Sequence, residues 1–261
     1  MPNFLRTLIL ILTCFVSTLT MAADRDVGIV LMHGKWDRPP THIMALARQL
    51  EAEGFKVVTP TMPWAGTREY DVAYPQALNE IDAAVQGLQA GGAKHVIVAG
   101  VSLGANAALA YAASGRPVDA VAALSPGHTP DVGALRTAVE ASVQKAREMV
   151  VSGSGADRAW FEDRNQGKPK QVRTSAEAYL SYFDPDGMAS MTKSCATFPK
   201  PIPLFMAVGT EDIIVATAKD KIFMRAPQHA LSSFVTISAD HIGLSNLIAP
   251  QLIAWVRSLG Y

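Results

Sequence analysis

The sequence predicts a three-layer α/β/α sandwich around a mostly parallel sheet, and three observations carry that prediction. Six short apolar runs alternate with stretches of helical periodicity. Most of these runs are unbroken rather than alternating in polarity, as in strands buried on both faces. The chain has 261 residues, 49% of them hydrophobic, with 23 basic and 23 acidic side chains. That suffices for one large core and leaves no basic surplus for nucleic-acid binding.

The predicted strands are Val27 to Met32, Lys56 to Thr59, His95 to Ala99, Ala120 to Leu124, Pro203 to Val208 and Ser233 to Ile237. Helical spacing marks His42 to Glu53, which ends at Gly54, a good C-cap. It also marks Pro75 to Leu88, Ala105 to Ala113, Thr217 to Met224 and Ala249 to Leu259. Strands alternating with helices mean βαβ units and a parallel sheet. One connection breaks the rhythm, between Leu124 and Pro203. It holds a helix-like run (Val132 to Val151), a polar Gly-rich stretch (Ser152 to Arg173) and a helical piece (Ala176 to Tyr182). It is too long for a plain loop. The expectation is a helical excursion over residues 127–200, either a cap on the sheet's carboxyl edge or packing helices with a surface loop.

Residues 1–23 read as a secretory signal peptide: Arg6, an apolar run from Leu8 to Leu19, then small residues at Ala22 and Ala23. Export to the periplasm or beyond follows as an expectation, with residues 24–261 as the domain. Cleavage would remove Cys14 and leave Cys195 alone, with no disulfide partner and no motif around it.

Chemistry concentrates at Gly100-Val101-Ser102-Leu103-Gly104, directly after "HVIVA" and directly before an alanine-rich helical run. A serine hydroxyl is a weak nucleophile and needs a base, an orienter for that base, and donors for the oxyanion. A sharp strand-to-helix turn lifts the hydroxyl clear of the sheet and places the next amide at a helix N-terminus, as in a nucleophile elbow. The base should follow a strand, at the carboxyl edge. His241, after the last strand, is the first candidate and His128 the runner-up. The orienting acid should be Asp212, with Glu211 and Asp131 as alternatives. Asp240 is adjacent in sequence to His241, so the two side chains diverge. The Leu103 amide is one oxyanion donor by position. The turn at His33-Gly34 aims a second, from Lys35 or Trp36. Trp36 and Trp64 both follow strands and are candidates to line an apolar substrate pocket. Lys35 and Arg38 could instead favour an acidic substrate. No His-Glu-x-x-His pattern or clustered ligand spacing suggests a metal.

With "HGKW" after the first strand, "GVSLG" at the elbow, "GTED" after the penultimate strand and "ADHIG" after the last, the chain resembles the α/β-hydrolase superfamily. The resemblance spans nearly all of residues 24–261, and the order Ser102, Asp212, His241 is the one this superfamily uses. It implies a parallel sheet with flanking helices and no metal or organic cofactor. Little chain precedes Val27, which implies a compact six-stranded core. The oxyanion loop is "HGKW" rather than the "HGGG" of many lipases and esterases, and the nucleophile is Ser102 rather than the Cys of dienelactone hydrolases. The expected activity is cleavage of small-molecule carboxylic esters through an acyl-enzyme. Amide, thioester or lactone cleavage uses the same groups. A non-catalytic binding protein on the same scaffold is the contrasting class.

Overall fold

The computed structural model describes residues 26–38 and 42–261. The signal-peptide expectation for residues 1–23 lies outside them. Six strands form one sheet: β1 (Val27–Met32), β2 (Lys56–Val58), β3 (His95–Ser102), β4 (Ala120–Pro126), β7 (Leu204–Gly209) and β8 (Ser233–Ile237). Their order across it is β2-β1-β3-β4-β7-β8. Every neighbouring pair is parallel, so all the carboxyl ends lie along one edge.

The apolar runs are continuous because β1, β3, β4 and β7 sit inside the sheet and are covered on both faces. Ile29, Leu31, Ile97 and Ala99 point into one core, beneath α1 (Met44–Ala52) and α9 (Ala249–Ser258). Val30, Met32 and Val98 point into the other, with α2 (Tyr74–Ala90) and α3 (Leu103–Ala113). Helix α3 is buried almost all round, and its alanines let it lie close on the central strands. The expected three-layer α/β/α architecture is therefore present.

The long excursion contains more than helices. After α4 (Gly133–Val151) the chain makes an antiparallel hairpin, β5 (Arg158–Asn165) and β6 (Lys168–Ser175). The helices α5 (Ala176–Phe183) and α6 (Met191–Ala196) follow. The segment Ser152 to Arg173, expected to be a polar Gly-rich stretch, is largely this hairpin. Its two-residue turn has positive φ at Gln166 (49°) and Gly167 (75°), the geometry of a type I′ turn. Phe161 and Asp163 on β5, and Val172 and Thr174 on β6, face inward and are buried. The inward positions alternate, but one is a carboxylate and one a hydroxyl, so hydropathy alone underreports the strand. Stacked rings bind this excursion to itself: Phe161 on Tyr179 at 4.5 Å and Tyr179 on Phe183 at 4.3 Å between centroids. Tyr70 meets Phe183 edge-on at 5.5 Å and joins the stack to the main domain.

The expected helix Thr217 to Met224 is broken. A single α-turn, α7 (Val215–Thr217), widens into a π-type turn over Ala218–Ile222 and tightens to 3₁₀ over Phe223–Arg225. Helix α8 (Leu244–Leu247) precedes α9. Among the described residues no helix is long and apolar enough to cross a membrane. Cys195 is buried on α6, and burial pushes its thiol up to about 12, so it stays protonated and quiet.

Candidate active site

Ser102 ends β3 with φ 57° and ψ −116°, far from the regions open to ordinary residues. The β3–β4 register shifts between Val101 and Ser102 as the chain turns out of the sheet. The two glycines of the motif make this turn possible. A Cβ on Gly100 would overlap the Gly104 carbonyl, and one on Gly104 would lie 2.6 Å from Met32 O. The strained elbow therefore depends on bare backbone at both positions, with the Leu103 N–H as first residue of α3 left free of an intrahelical acceptor.

Two further loops converge on the hydroxyl. Asp212 lies three residues past β7, and His241 four past β8. The loops are tied together by Thr210 N–H to Ile237 O (2.8 Å) and Glu211 N–H to Ala239 O (3.0 Å). His241 Nδ1–H donates to Asp212 Oδ2 at 2.6 Å, and Asp212 Oδ1 accepts the Ile214 amide at 3.2 Å. Both side chains are largely buried. A carboxylate can only accept, so this bond leaves Nε2 as the acceptor of the neutral ring. Nε2 is buried and has no partner among the described residues. Ser102 Oγ does not bond it in this structure, yet the two side chains share one small space. A Cβ on Gly127 would stand 2.6 Å from Ser102 Oγ and 3.3 Å from His241 Cε1. Such spacing is common in unliganded sites and tightens on substrate.

The alternative partners make other contacts, although His128 Nδ1 is itself buried without a partner among the described residues. His128 donates Nε2–H to Tyr182 O at 2.7 Å, and burial, with Lys35 nearby, holds its ring well below the ordinary imidazole range. Asp131 accepts the hydroxyls of Ser190 (2.6 Å) and Thr192 (2.7 Å). Asp240 caps its own loop at Gly243 N–H, and Glu211 is exposed.

The turn after β1 supplies the neighbour of the elbow. A Cβ on Gly34 would sit 3.4 Å from Ser102 Cβ, so the turn packs on the elbow, and Lys35, the next residue, lines both of the cavities that Ser102 lines. The Trp36 amide is spent on Trp64 O (2.9 Å). Of the two residues considered for the second donor, Lys35 keeps its N–H. His33 pins the turn: Nδ1–H donates to Gly34 O (2.8 Å) and Nε2 accepts the Met62 amide (3.0 Å). Burial lowers its pKa and keeps the ring neutral, as that acceptor role requires.

The model of the alpha/beta hydrolase family matches residues 29–254. The chain belongs to this family. Solved structures similar to this α/β-hydrolase include a monoacylglycerol lipase from Paleococcus ferrophilus, at TM-score 0.62 and 19% identity over 89% of this chain and 93% of that one. The esterase domain of a Rhodothermus marinus protein gives TM-score 0.59 and 18% identity over 89% and 87%. A thioesterase domain from the curacin biosynthetic pathway gives 0.56 and 14% over 88% and 90%. None of the curated proteins matches the chain.

Two cavities of this α/β-hydrolase meet at Ser102 and His241. One, of about 440 Å³, is walled by Trp36, Ile43, Val101 and Ile242. The other, of about 880 Å³, is walled by Leu135, Met191, Ile214 and Ile222, with Val132 and Ile213 exposed at its rim. The hairpin tip, Asn165 and Gln166, borders both.

Two expectations about pocket residues change. Trp64 is fully buried in the core, with its indole N–H on His33 O (2.8 Å), and lines neither cavity. It supports the turn from behind, because the residues after β2 fold inward under β1 instead of opening to the edge. Trp36 does wall the smaller cavity. The Lys35 ammonium does not offer a charge to substrate: its side chain is 3% exposed and its Nζ donates to Asp163 Oδ1 at 2.7 Å. Asp163 was invisible to sequence reasoning. It lies in the polar Gly-rich stretch Ser152 to Arg173, and its side-chain partners are 127, 128 and 93 residues away. The one local signal was Gly167 as a turn residue between two runs of strand length.

Proposed function

We propose that this α/β-hydrolase cleaves carboxylic esters with Ser102 as nucleophile, His241 as base and Asp212 as orienter. The observation that carries the reading is the open Nε2 of an imidazole whose other nitrogen is bound to a buried carboxylate, beside a serine on a strained elbow. Ser102 Oγ attacks the carbonyl carbon as its proton passes to Nε2. The tetrahedral oxyanion is held by the amides of Leu103 and Lys35. Nε2–H then protonates the leaving alcohol, and water repeats the sequence to free the acid. Asp212 stabilises the imidazolium in both halves. The apolar cavity walls favour uncharged acyl groups.

Thioesters, amides and lactones present the same carbonyl chemistry, and a matched panel ranks them by kcat/KM. The first experiment is intact mass after a fluorophosphonate. One adduct on the wild type and none on Ser102→Ala is expected. No adduct on folded wild type would move a non-catalytic binding role to the front. We further propose export, with cleavage after Ala22 or Ala23. The N-terminal mass of protein from the periplasm or medium tests it, and a retained residue 1 would overturn it.

A further inference from the structure

We infer that Asp163 is a positioning residue, which holds the Lys35 amide in place beside Ser102 from the cap hairpin. The inference rests on the serine-hydrolase reading above.

Asp163 is fully buried, and both carboxylate oxygens are saturated. Oδ1 accepts Lys35 Nζ (2.7 Å) and the Arg164 amide (2.6 Å). Oδ2 accepts Trp36 Nε1 (2.7 Å) and the Tyr70 hydroxyl (2.6 Å). The donors come from three segments: the turn after β1, the loop before α2, and β5 itself. A carboxylate filled this way in a dry site has one orientation, and so do the groups that fill it.

What those bonds fix is the backbone on either side of Lys35. In a trans peptide the C=O and N–H of one plane point in opposite directions. The plane before Lys35 carries Gly34 O, bound by His33 Nδ1–H, so the Lys35 N–H must point away from that ring. The plane after it carries Lys35 O, bound by Asn165 Nδ2 (3.1 Å), and Trp36 N–H, bound by Trp64 O (2.9 Å). Lys35 Nζ also donates to Arg164 O (3.0 Å). The hairpin thus grips the side chain and carbonyl of Lys35, and the indole that follows. Among the described residues no acceptor takes the Lys35 N–H.

A buried ion pair is a poor way to gain stability, since well-packed apolar groups often do as well. What it does supply is a single geometry. Oxyanion donors act by being in place before the charge develops, so a loosened donor costs rate more than substrate binding.

The test is Asp163→Asn in the full chain. Its size is conserved and the charge is lost. Active sites are first counted by fluorophosphonate taken to completion, so that misfolded protein drops out. Expected is a fall in kcat per titrated site of about 10²-fold with KM nearly unchanged, and a parallel loss of affinity for a boronate that mimics the tetrahedral oxyanion. A per-site kcat equal to wild type, whatever happens to thermal stability, would overturn the inference and leave Asp163 a structural clasp. If Asp163→Asn does not fold, Asn165→Ala at the hairpin tip removes the bond to Lys35 O and trims the wall of both cavities, so KM is read beside kcat. A fall in per-site kcat and boronate affinity together is expected there, and no change in either overturns the inference. A labelled, Ser102-dependent wild type keeps the serine reading standing in both cases, so the failures are distinguishable.

Discussion

Two buried carboxylates stand near Ser102, and they are used in opposite ways. Asp163 is closed: four donors fill it and nothing is left over. Asp212 is open-ended: it binds one imidazole nitrogen and one amide, and the other imidazole nitrogen is buried without a partner. Native interiors leave few polar atoms unpaired, so an unpaired one at a cavity marks where a substrate or a moving proton completes the set. His128 Nδ1 is also buried and unpaired among the described residues, but its ring has a backbone carbonyl on the other nitrogen, where His241 has the Asp212 carboxylate and shares its space with Ser102 Oγ.

The largest effects should come from breaking the open end. Asp212→Asn leaves the shape but presents the wrong tautomer to Ser102, and kcat/KM for an ester should drop by about 10⁴-fold. Asp163→Asn should cost far less, which makes the two carboxylates a matched pair in one assay. A drop of similar size in both would erase the contrast.

Next in size is steric closure. Gly127→Ala places a methyl group 2.6 Å from Ser102 Oγ, in the space it shares with His241. Turnover should fall by about 10²-fold or more with little change in Tm. Labelling by the fluorophosphonate should slow in step. Full activity would mean that the hydroxyl has room that the geometry denies.

The closed end is broken more usefully by stability. Lys35→Met strands the Asp163 charge, and a loss of about 3–5 kcal/mol is expected from denaturant unfolding. The double variant Lys35→Met with Asp163→Asn leaves no lone charge and keeps an acceptor for Trp36 and Tyr70. It should recover much of that loss without restoring kcat. A double variant no more stable than the single would show that charge is not what matters there.

The smallest effect is a pH slope. His33 and His128 both have imidazole pKa values pushed below the ordinary 6.5 by burial. Below pH 6.5 the unfolded chain therefore binds more protons at these residues than the folded one, so their contribution makes stability fall as pH falls. Tm measured from pH 8 to 5 should decline, and His128→Gln should flatten the decline. A variant with an unchanged slope would remove His128 from this account.

Much of this molecule was legible in the sequence because the relevant signals are local. Continuous apolar runs located the six strands, and strand–turn–helix chemistry located Ser102. Position after a strand singled out Asp212 and His241, which the structure joins at 2.6 Å. The hairpin was missed because a cap strand buries only alternate residues, and here Asp163 and Thr174 occupy inward positions where apolar side chains would have signalled it. Trp64 was misplaced because a tryptophan after a strand looks the same whether the chain then turns outward or folds under β1.

The sequence by itself determined the layers, the order of the strands' loops along one edge, and the residue types gathered there. Backbone propensity and burial pattern act over a few residues, and the parallel sheet does the rest. Only the tertiary structure decided which of Lys35 and Trp36 keeps a free amide, that the Lys35 charge is spent, and that Asp163 meets it. The first outcome depends on Trp64 O, which takes the Trp36 amide, and the other two on a partner 128 residues away, and a hydrogen bond's dependence on distance and angle leaves no trace in a pattern of residue types.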